Sequence, residues 1–202
     1  MTEQEKSHLL ILDAGSGEGT SIKIHEIGQD FDYTLVRADI NPDDDPDYLW
    51  DITEEPPEDL LDRFDIVIAN HVLEHLVRTS VPRAIWHLRN CLRDGGELRI
   101  AVPSMEWCAQ QILNPNGANP VILPVLFGEQ EGDQYQGHKC GFTLDWLRAL
   151  IQEAKMIPRR ANQGIFHIIY GEEEFLAVEN IVVAVRHKEF EHVAADPSSA
   201  LE

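Results

Sequence analysis

A glycine-rich turn follows the first apolar run of the chain and is the first segment with ligand-binding chemistry. The run ends in Leu12-Asp13-Ala14-Gly15-Ser16-Gly17-Glu18-Gly19, and a helix is predicted after it. Glycines let a ligand approach the backbone closely, and a helix N-terminus offers N–H groups without intrahelical partners. A dinucleotide fingerprint would place its third small residue at position 20, where Thr20 stands. The tighter G-x-G-x-G spacing behind Asp13 therefore points away from a nicotinamide dinucleotide.

Two acidic residues stand where the next two strand-like runs end. Asp39 precedes Ile40 at the end of the second run, and Asp51 precedes Ile52 after a short third run. A carboxylate after the second strand of a doubly wound fold can accept hydrogen bonds from both ribose hydroxyls. A carboxylate after the third can accept one from an adenine amino group, while the neighbouring isoleucine packs on the ring. The alternative for both acids is a solvated loop or turn residue, since further acidic residues surround them.

The segment Phe64–Leu76, which reads F-D-I-V-I-A-N-H-V-L-E-H-L, is the most specific stretch of the chain. Asn70 and His71 come at the end of its strand-like half. His71-Val72-Leu73-Glu74-His75 also fits the H-x-x-E-H pattern of zinc proteases, with both histidines on one helical face. That alternative accounts for neither the glycine loop nor the strand-end acids. No metal site is therefore predicted, and His75 is interpreted as a packed or capping residue.

Strand-length apolar runs alternate with helical patterns and would position these residues. Four runs rich in Val, Ile and Leu are typical of strands buried on both faces: Leu9–Asp13, Tyr33–Asp39, Phe64–Asn70 and Leu98–Pro103. Val81-Pro82 begins a predicted helix that Asp94-Gly95-Gly96 ends, and Thr143 caps another. The alternation predicts an α/β fold with a Rossmann-like doubly wound sheet, mostly parallel.

The last third of the chain has a different pattern. Gly164–Tyr170 and Val178–Arg186 are strand-like runs whose acidic connection is too short for a crossover helix, so they are predicted to form an antiparallel hairpin. Before them, residues 105–142 form a long connection with an apolar run at Val121–Phe127. A connection of this length in a compact domain favours an active-site cover, or else a flexible insert. His138 lies in this segment and is a candidate general base, the alternative being a loop-ordering hydrogen bond.

Composition limits the possible function classes. The 202 residues fit one domain, with a core over about 8–187. The chain has 36 acidic and 16 basic residues, a net charge of −20 that disfavours extended binding to nucleic acid. Its three scattered cysteines are typical of reduced thiols in a cytosolic protein. No apolar run approaches the roughly 18 residues of a membrane span, so a soluble, cytoplasmic protein is expected.

In their order along the chain, these motifs resemble class I methyltransferases that use S-adenosylmethionine (SAM), particularly the small group called type 11. Phe64–Leu76 is similar to that family's F-D-x-V and V-L-E-H-L. Leu92–Leu98 is similar to its L-x-P-G-G-x-L turn, with Asp94 in place of the proline. The matches span about residues 9–104, and the terminal antiparallel hairpin is also as the family has it. The resemblance implies the seven-stranded methyltransferase fold, in a single domain over residues 1–202.

The resemblance also implies which residues contact SAM, all near the carboxyl ends of the strands: Asp13, Gly15, Gly17, Asp39, Ile40, Asp51, Ile52, Asn70 and His71. The glycine loop would surround the methionine part, Asp39 would hold the ribose and Asp51 would frame the adenine. Asn70 and His71 would pass close to the sulfonium. The catalytic candidates are His138 and His71.

Methyl transfer is an in-line displacement at a carbon that the sulfonium already activates. The enzyme mainly aligns the acceptor, excludes water and removes a proton where the acceptor is a hydroxyl. No P-P-Y follows Asn70, which disfavours adenine or amide methylation, and Ser104 after Pro103 lacks the thiol needed at cytosine C5. The expected acceptor is a small metabolite or a sugar-type hydroxyl or amine. The alternatives are a protein or RNA methyltransferase and a non-catalytic SAM-binding partner subunit.

Overall fold

A computed structural model describes residues 8–17, 32–117, 119–128, 135–170 and 173–189. Within these ranges the strands are β1 (His8–Ala14), β2 (Asp32–Asp39), β3 (Tyr48–Leu49), β4 (Phe64–Asn70), β5 (Leu92–Pro103), β6 (Met156–Tyr170) and β7 (Glu173–Arg186). The α-helices are α1 (Val81–Cys91), α2 (Met105–Ile112), α3 (Ile122–Phe127) and α4 (Leu144–Glu153). Short 3₁₀ turns cover Pro42–Asp44, Glu58–Leu60, Leu73–His75 and Arg78–Ser80.

The seven strands form one sheet in the order β3-β2-β1-β4-β5-β7-β6. The pairs from β3 through β5 are parallel, whereas β7 runs antiparallel to both β5 and β6. The order reverses between β1 and β4, and in doubly wound sheets such a reversal opens a crevice for ligands. The predicted fold class is thereby confirmed, including the antiparallel hairpin at the end.

The core explains why the central strands have near-continuous apolar sequences. Leu12, Val67 and Leu98 are fully buried on one face of the sheet, in a cluster that also contains α1 and α4 residues. Ile11 and Ile66 form a second cluster with Ile68. Adjacent strand residues point to opposite faces, so apolar residues at successive positions indicate that both faces are covered.

One helix prediction differs from the structure. α1 begins at Val81 as predicted but ends at Cys91, where Leu92 turns extended. The Asp94-Gly95-Gly96 segment lies inside β5, with Gly95 at a φ of 77°, so it bends the incoming strand instead of ending the helix. The V-L-E-H-L segment forms a 3₁₀ turn at Leu73–His75 and not the helix that the zinc-protease alternative requires. Thr143 caps α4 as predicted, since its side chain accepts a hydrogen bond from the Trp146 N–H at 3.2 Å.

Residues 105–142 are here called the cover segment, and its described helices α2 and α3 pack against the part of the terminal hairpin that extends beyond β5. The last β5–β7 pair is Pro103–Glu179, so residues 173–178 pair only with 165–170 of β6. This hairpin extension contributes to an apolar cluster with α2 and α3, whose buried members are Cys108, Val121, Ile122, Val125 and Ala177. The cover segment therefore has a small core of its own, separate from the main one.

Some predicted features lie outside the described residues. These are the N-terminal residues 1–7, the helix expected after the glycine loop together with Gly19 and Thr20, and the tail from residue 190. Among the helices that are described, none is both long and apolar enough to cross a membrane.

Candidate functional site

The carboxyl ends of β1, β2 and β4 meet at a cavity of about 450 Å³, a volume typical of sites for small ligands. Four parts of the chain line it. The glycine loop contributes Gly15 and Gly17, and the turns after β2 and β3 contribute residues 39–41, 44 and 50–53. The turn after β4 contributes His71, Val72 and residues 75–77 and 80, and the cover segment contributes residues 135, 136 and 139.

The backbone conformation of the glycine loop is one that residues with a side chain adopt only with strain. Gly15 has a φ of 76° and Gly17 a φ of 58°, both in the left-handed region that glycine enters without strain. A Cβ on Gly15 would also overlap the side chain of Val72 across the cavity floor. The Gly15 and Ser16 N–H groups donate to the Ala38 carbonyl at 2.7 and 3.3 Å. The backbone of this loop is thus held against the end of β2 and exposed to the cavity.

Arg37 also holds the glycine loop in place through hydrogen bonds. The sequence analysis did not predict this role. Its Nη2 donates to the carbonyls of Gly17 and Asp44, both at 2.7 Å. One guanidinium therefore joins the glycine loop to the turn after β2. No local motif signals this, because the partners are backbone carbonyls 20 and 7 residues away.

Asp39 lies at the end of β2 and is 8% exposed. Its Oδ2 accepts a hydrogen bond from the Gly17 N–H at 2.8 Å, and its Oδ1 accepts one from the Asn41 N–H at 2.9 Å. Each carboxylate oxygen has a second lone pair, so Asp39 can orient the glycine loop and still accept hydroxyl donors from a ligand. Ile40 follows it at the cavity wall.

Asp51 lies after β3 in a tight polar turn. Its Oδ1 accepts both hydrogen bonds from Thr53, at 2.8 Å from the N–H and 2.7 Å from the hydroxyl. These bonds fix the carboxylate and leave Oδ2 able to accept from a ligand donor. Trp50 and Ile52 flank it as buried apolar walls of the cavity. The structure thus brings Asp39 and Asp51 to one side of the cavity, each beside an isoleucine.

His71 lies between two buried carboxylates at the end of β4. Its backbone is left-handed, with a φ of 54°. Its Nε2 is 3.0 Å from Glu179 Oε2 on β7, and its Nδ1 is 3.2 Å from Glu74 Oε1. Burial alone would lower the pKa of His71, but the contacts with Glu179 and Glu74 raise it to about 9. His71 therefore carries a proton at neutral pH, and this argues against its predicted role as a catalytic base.

Three predicted residues are not among those that line the cavity: Asp13, Asn70 and His138. Asp13 is buried beneath the glycine loop. Asn70 lines a separate cavity with Arg99 and Arg160. Asn70 is the last residue of β4, and His71 follows it with a left-handed backbone, so the two residues line different cavities.

His138 lies next to the cavity, behind His75. The two rings meet edge to face with centroids 4.9 Å apart, and only His75 reaches the cavity wall. His138 Nδ1 is 3.0 Å from the Val125 carbonyl, to which it must donate, so the lone pair is on Nε2. Burial lowers the pKa of His138, which keeps the ring neutral at pH 7. The loop-ordering hydrogen bond considered as an alternative is therefore present.

A polar cluster holds both ends of the cover segment at the sheet. Glu106, in the first turn of α2, accepts from the Leu144 N–H at 2.7 Å and from Asn180 Nδ2 at 2.9 Å. Ser104 donates to it at 2.9 Å. Burial raises the pKa of Glu106, but hydrogen bonds from Asn180 and Leu144 outweigh it and lower the pKa below its usual value. The ionised carboxylate ties the start of α2 to the start of α4.

Glu179 is another residue that sequence analysis missed. It is 1% exposed, yet it lies 108 residues from its partner His71. The one available signal was the pair Glu179-Asn180, which interrupts the apolar run Val178–Arg186 with two polar residues. Such an interruption in a buried strand indicates polar partners across the sheet.

The sheet order and the site at its switch point define the class as a Rossmann-like methyltransferase. A family model described as a methyltransferase domain matches residues 2–155. The chain therefore belongs to the SAM-dependent methyltransferase family, and it is an enzyme whose methyl donor is SAM. This confirms the class that the motifs of the sequence resembled. No curated protein shows a significant sequence match.

Solved structures with the same fold are distant in sequence. A SAM-dependent methyltransferase from Methanosarcina mazei is 14% identical with a TM-score of 0.60, over 91% of this chain and 94% of that one. The 1,6-didemethyltoxoflavin-N1-methyltransferase of Burkholderia thailandensis, solved with 1,6-didemethyltoxoflavin and S-adenosylhomocysteine, is 15% identical with a TM-score of 0.54. That match covers 89% of this chain and 72% of the other. These likenesses establish the fold.

The packing of Gly15 gives a prediction with a matched control. Gly15→Ala and Gly95→Ala both place a side chain at a φ near 77°, which costs about 1–2 kcal/mol in each case. Gly95 has nothing within 4 Å of its added Cβ, whereas Gly15 would displace Val72. We expect Gly15→Ala to abolish measurable SAM binding by calorimetry and Gly95→Ala to keep it. Equal loss in both variants would show that backbone strain, and not the cavity floor, controls binding.

Proposed function

We propose that this enzyme transfers the methyl group of SAM to a small-molecule acceptor with a hydroxyl or amine nucleophile. The observation that carries the proposal is one cavity with two chemically distinct groups of lining residues. The glycine loop and the turns after β2 and β3, called here the donor end, contribute two strand-end carboxylates. The turn after β4 and the cover segment, called here the acceptor end, contribute His75, Gln136 and Lys139. The first suits the donor, and the second has the polar side chains that an acceptor would need.

The residues present fit SAM at the first end. The loop backbone at Gly15 and Gly17 lines the cavity, and the space beside Gly17 is open, which gives room for the methionine part. Asp39 would accept hydrogen bonds from the ribose, and Asp51 Oδ2 would accept one from the adenine amino group. SAM supplies a methyl group on a positively charged sulfur. The chain itself positions the acceptor and excludes water.

The second end carries the groups that could move a proton. His75 contacts the cavity and the neutral ring of His138 packs against it. Charged His71 is committed to two carboxylates, so His138 stays the better general-base candidate of the two. The cover segment that carries His138 also supplies Gln136 and Lys139 to the cavity wall. This supports its proposed role as a cover over the acceptor.

Four further observations support a small acceptor inside a cell. The cavity of about 450 Å³ suits a cofactor with a compact partner. A net charge of −20 counts against RNA as an acceptor, which leaves a protein as the main alternative. In the Burkholderia thailandensis structure, the molecule bound with S-adenosylhomocysteine is a small one. Cys91, Cys108 and Cys140 are free thiols, in keeping with the cytoplasmic location expected from the sequence.

Acceptor class is tested by following S-adenosylhomocysteine release from SAM. The panel contains sugars, amino alcohols and aromatic alcohols and amines, with a basic protein and transfer RNA as the competing classes. We expect turnover with at least one small hydroxyl or amine compound and none with RNA. Turnover confined to the protein would replace this acceptor class with the alternative.

The ribose assignment predicts a graded loss of affinity. Asp39→Asn removes the charge but keeps one oxygen for the loop, so we expect SAM to bind about 10- to 100-fold more weakly, equivalent to about 1.5–3 kcal/mol. Asp51→Asn should cost less because one adenine contact is affected. Asp43→Asn is the control, since Asp43 is exposed in the same turn and does not line the cavity. Calorimetry with chelator present measures all three, and wild-type affinity in Asp39→Asn contradicts the assignment.

The role of His138 predicts separate effects on rate and binding. His138→Ala should lower turnover of the acceptor found above by about 100-fold, as expected for a lost acid–base group. SAM affinity should stay near that of the wild type because His138 does not line the donor end. His167→Ala, an exposed histidine on the hairpin, is the control. Full activity in His138→Ala would leave the proton to another group at the cavity.

A further inference from the structure

Three potential metal ligands converge behind the acceptor end of the cavity. The ligand atoms of Glu74, His75 and His138 all lie within 4.8 Å of one another. Glu74 is 1% exposed, and its Oε2 has no hydrogen-bond partner among the described residues. The Nδ1 of His75 is also buried without one. A buried carboxylate oxygen and a buried imidazole nitrogen without partners are costly unless a ligand satisfies them.

We propose that Glu74, His75 and His138 bind a divalent transition-metal ion, with Zn²⁺ as the best match to the donor set. Two imidazoles and one carboxylate are a common ligand set of zinc sites that keep a fourth position open. Tetrahedral Zn²⁺ with bonds of about 2.0–2.1 Å needs ligand atoms about 3.3 Å apart. The ligand atoms lie within 4.8 Å of one another, so the proposed site requires them to approach by up to about 1.5 Å when the ion binds.

Hydrogen bonds and contacts around His138 and Glu74 orient these two side chains for metal binding. His138 Nδ1 donates to the Val125 carbonyl at 3.0 Å, which directs the Nε2 lone pair away from that carbonyl. Metal-bound histidines usually make such a bond from their other nitrogen, because it fixes the ring and its tautomer. Glu74 Oε1 lies 3.2 Å from His71 Nδ1, so one oxygen contacts a cation while the other stays available.

Backbone hydrogen bonds hold the two ligand-bearing segments together. The Glu74 carbonyl accepts from the Lys139 N–H at 2.7 Å and from the Cys140 N–H at 3.1 Å. The turn that carries Glu74 and His75 is therefore joined directly to the loop that carries His138. A site assembled before the ion arrives needs little further ordering, and this favours tight binding.

The proposed site differs from the zinc-protease pattern considered for the sequence. That pattern pairs His71 with His75 on one helix, but the left-handed backbone of His71 directs its ring to Glu179. His138 takes the place of the second histidine, from a segment more than 60 residues later. The sequence therefore predicts no metal site, because its ligands come together only in the fold.

An ion here would adjoin the acceptor. His75 is both a proposed ligand and part of the cavity wall, so the ion would lie beside the acceptor end. There it would bind water or the oxygen of a hydroxyl acceptor, and His138 would act as a ligand instead of a free base. Only this link to the acceptor rests on the proposed function; ion binding itself does not.

Metal binding is tested on the full chain after treatment with chelator. Titration with Co²⁺ should give the intense visible absorption of a tetrahedral ion at one equivalent, and Zn²⁺ should displace it. We expect His138→Ala and His75→Ala each to weaken Co²⁺ affinity by roughly 100-fold or more. His8→Ala and His167→Ala are controls, because each removes an exposed histidine that faces a carboxylate elsewhere on the chain.

The variant Glu74→Gln and a measurement of SAM binding distinguish loss of the metal site from loss of the fold. Glu74→Gln keeps the side-chain shape but removes the charge, so it should also lose Co²⁺ binding while its circular dichroism matches the wild type. SAM binding by calorimetry should be unchanged in His138→Ala and in the presence of chelator. Absent tetrahedral absorption, or absorption kept in His138→Ala and His75→Ala, would overturn the proposal. Failure of SAM binding with metal binding intact would instead overturn the proposed function.

Discussion

The rest of the site depends on one buried charge arrangement, the imidazolium of His71 between Glu74 and Glu179. Both carboxylates are 1% exposed, and such groups are stable in a protein interior only when a cation and hydrogen bonds satisfy them. The arrangement joins the end of β4 to β7, and so joins the parallel half of the sheet to the antiparallel hairpin. It also places Glu74 beneath the cavity with one oxygen engaged and the other available.

The fold was predictable because its signals are local and periodic. Apolar runs predicted β1, β2 and β4 to within one residue at each end, together with the end of β5, and the lack of room for a crossover predicted the antiparallel hairpin. The predicted end of α1 was wrong because the same local sequence is compatible with two different structures. Asp94-Gly95-Gly96 reads as a helix end, yet the chain had left the helix at Cys91 and used the glycines to bend β5. The turn at Leu73–His75 is short because the backbone becomes extended at Leu76.

The convergence of Gly15, Gly17, Asp39 and Asp51 on one cavity was predictable for a similar reason, since they follow strands whose order the motifs indicate. The acceptor end was not predictable. Its contacts join residues far apart in sequence, as Glu179 does with His71, and they depend on which face of a strand each side chain takes. Predicted roles for the cover segment and its histidine are supported by position and still await measurement.

The cover segment and the hairpin extension share an apolar cluster that is separate from the main core. Opening of such a satellite cluster would cost only part of the global free energy of unfolding. Substitutions at Val121 or Val125 would therefore alter the acceptor end while the donor end keeps its folding stability. This separation has an evolutionary consequence. Substitutions confined to the cover segment and the hairpin extension could change which acceptor is methylated, while the main core and the cavity residues proposed to bind SAM stay the same.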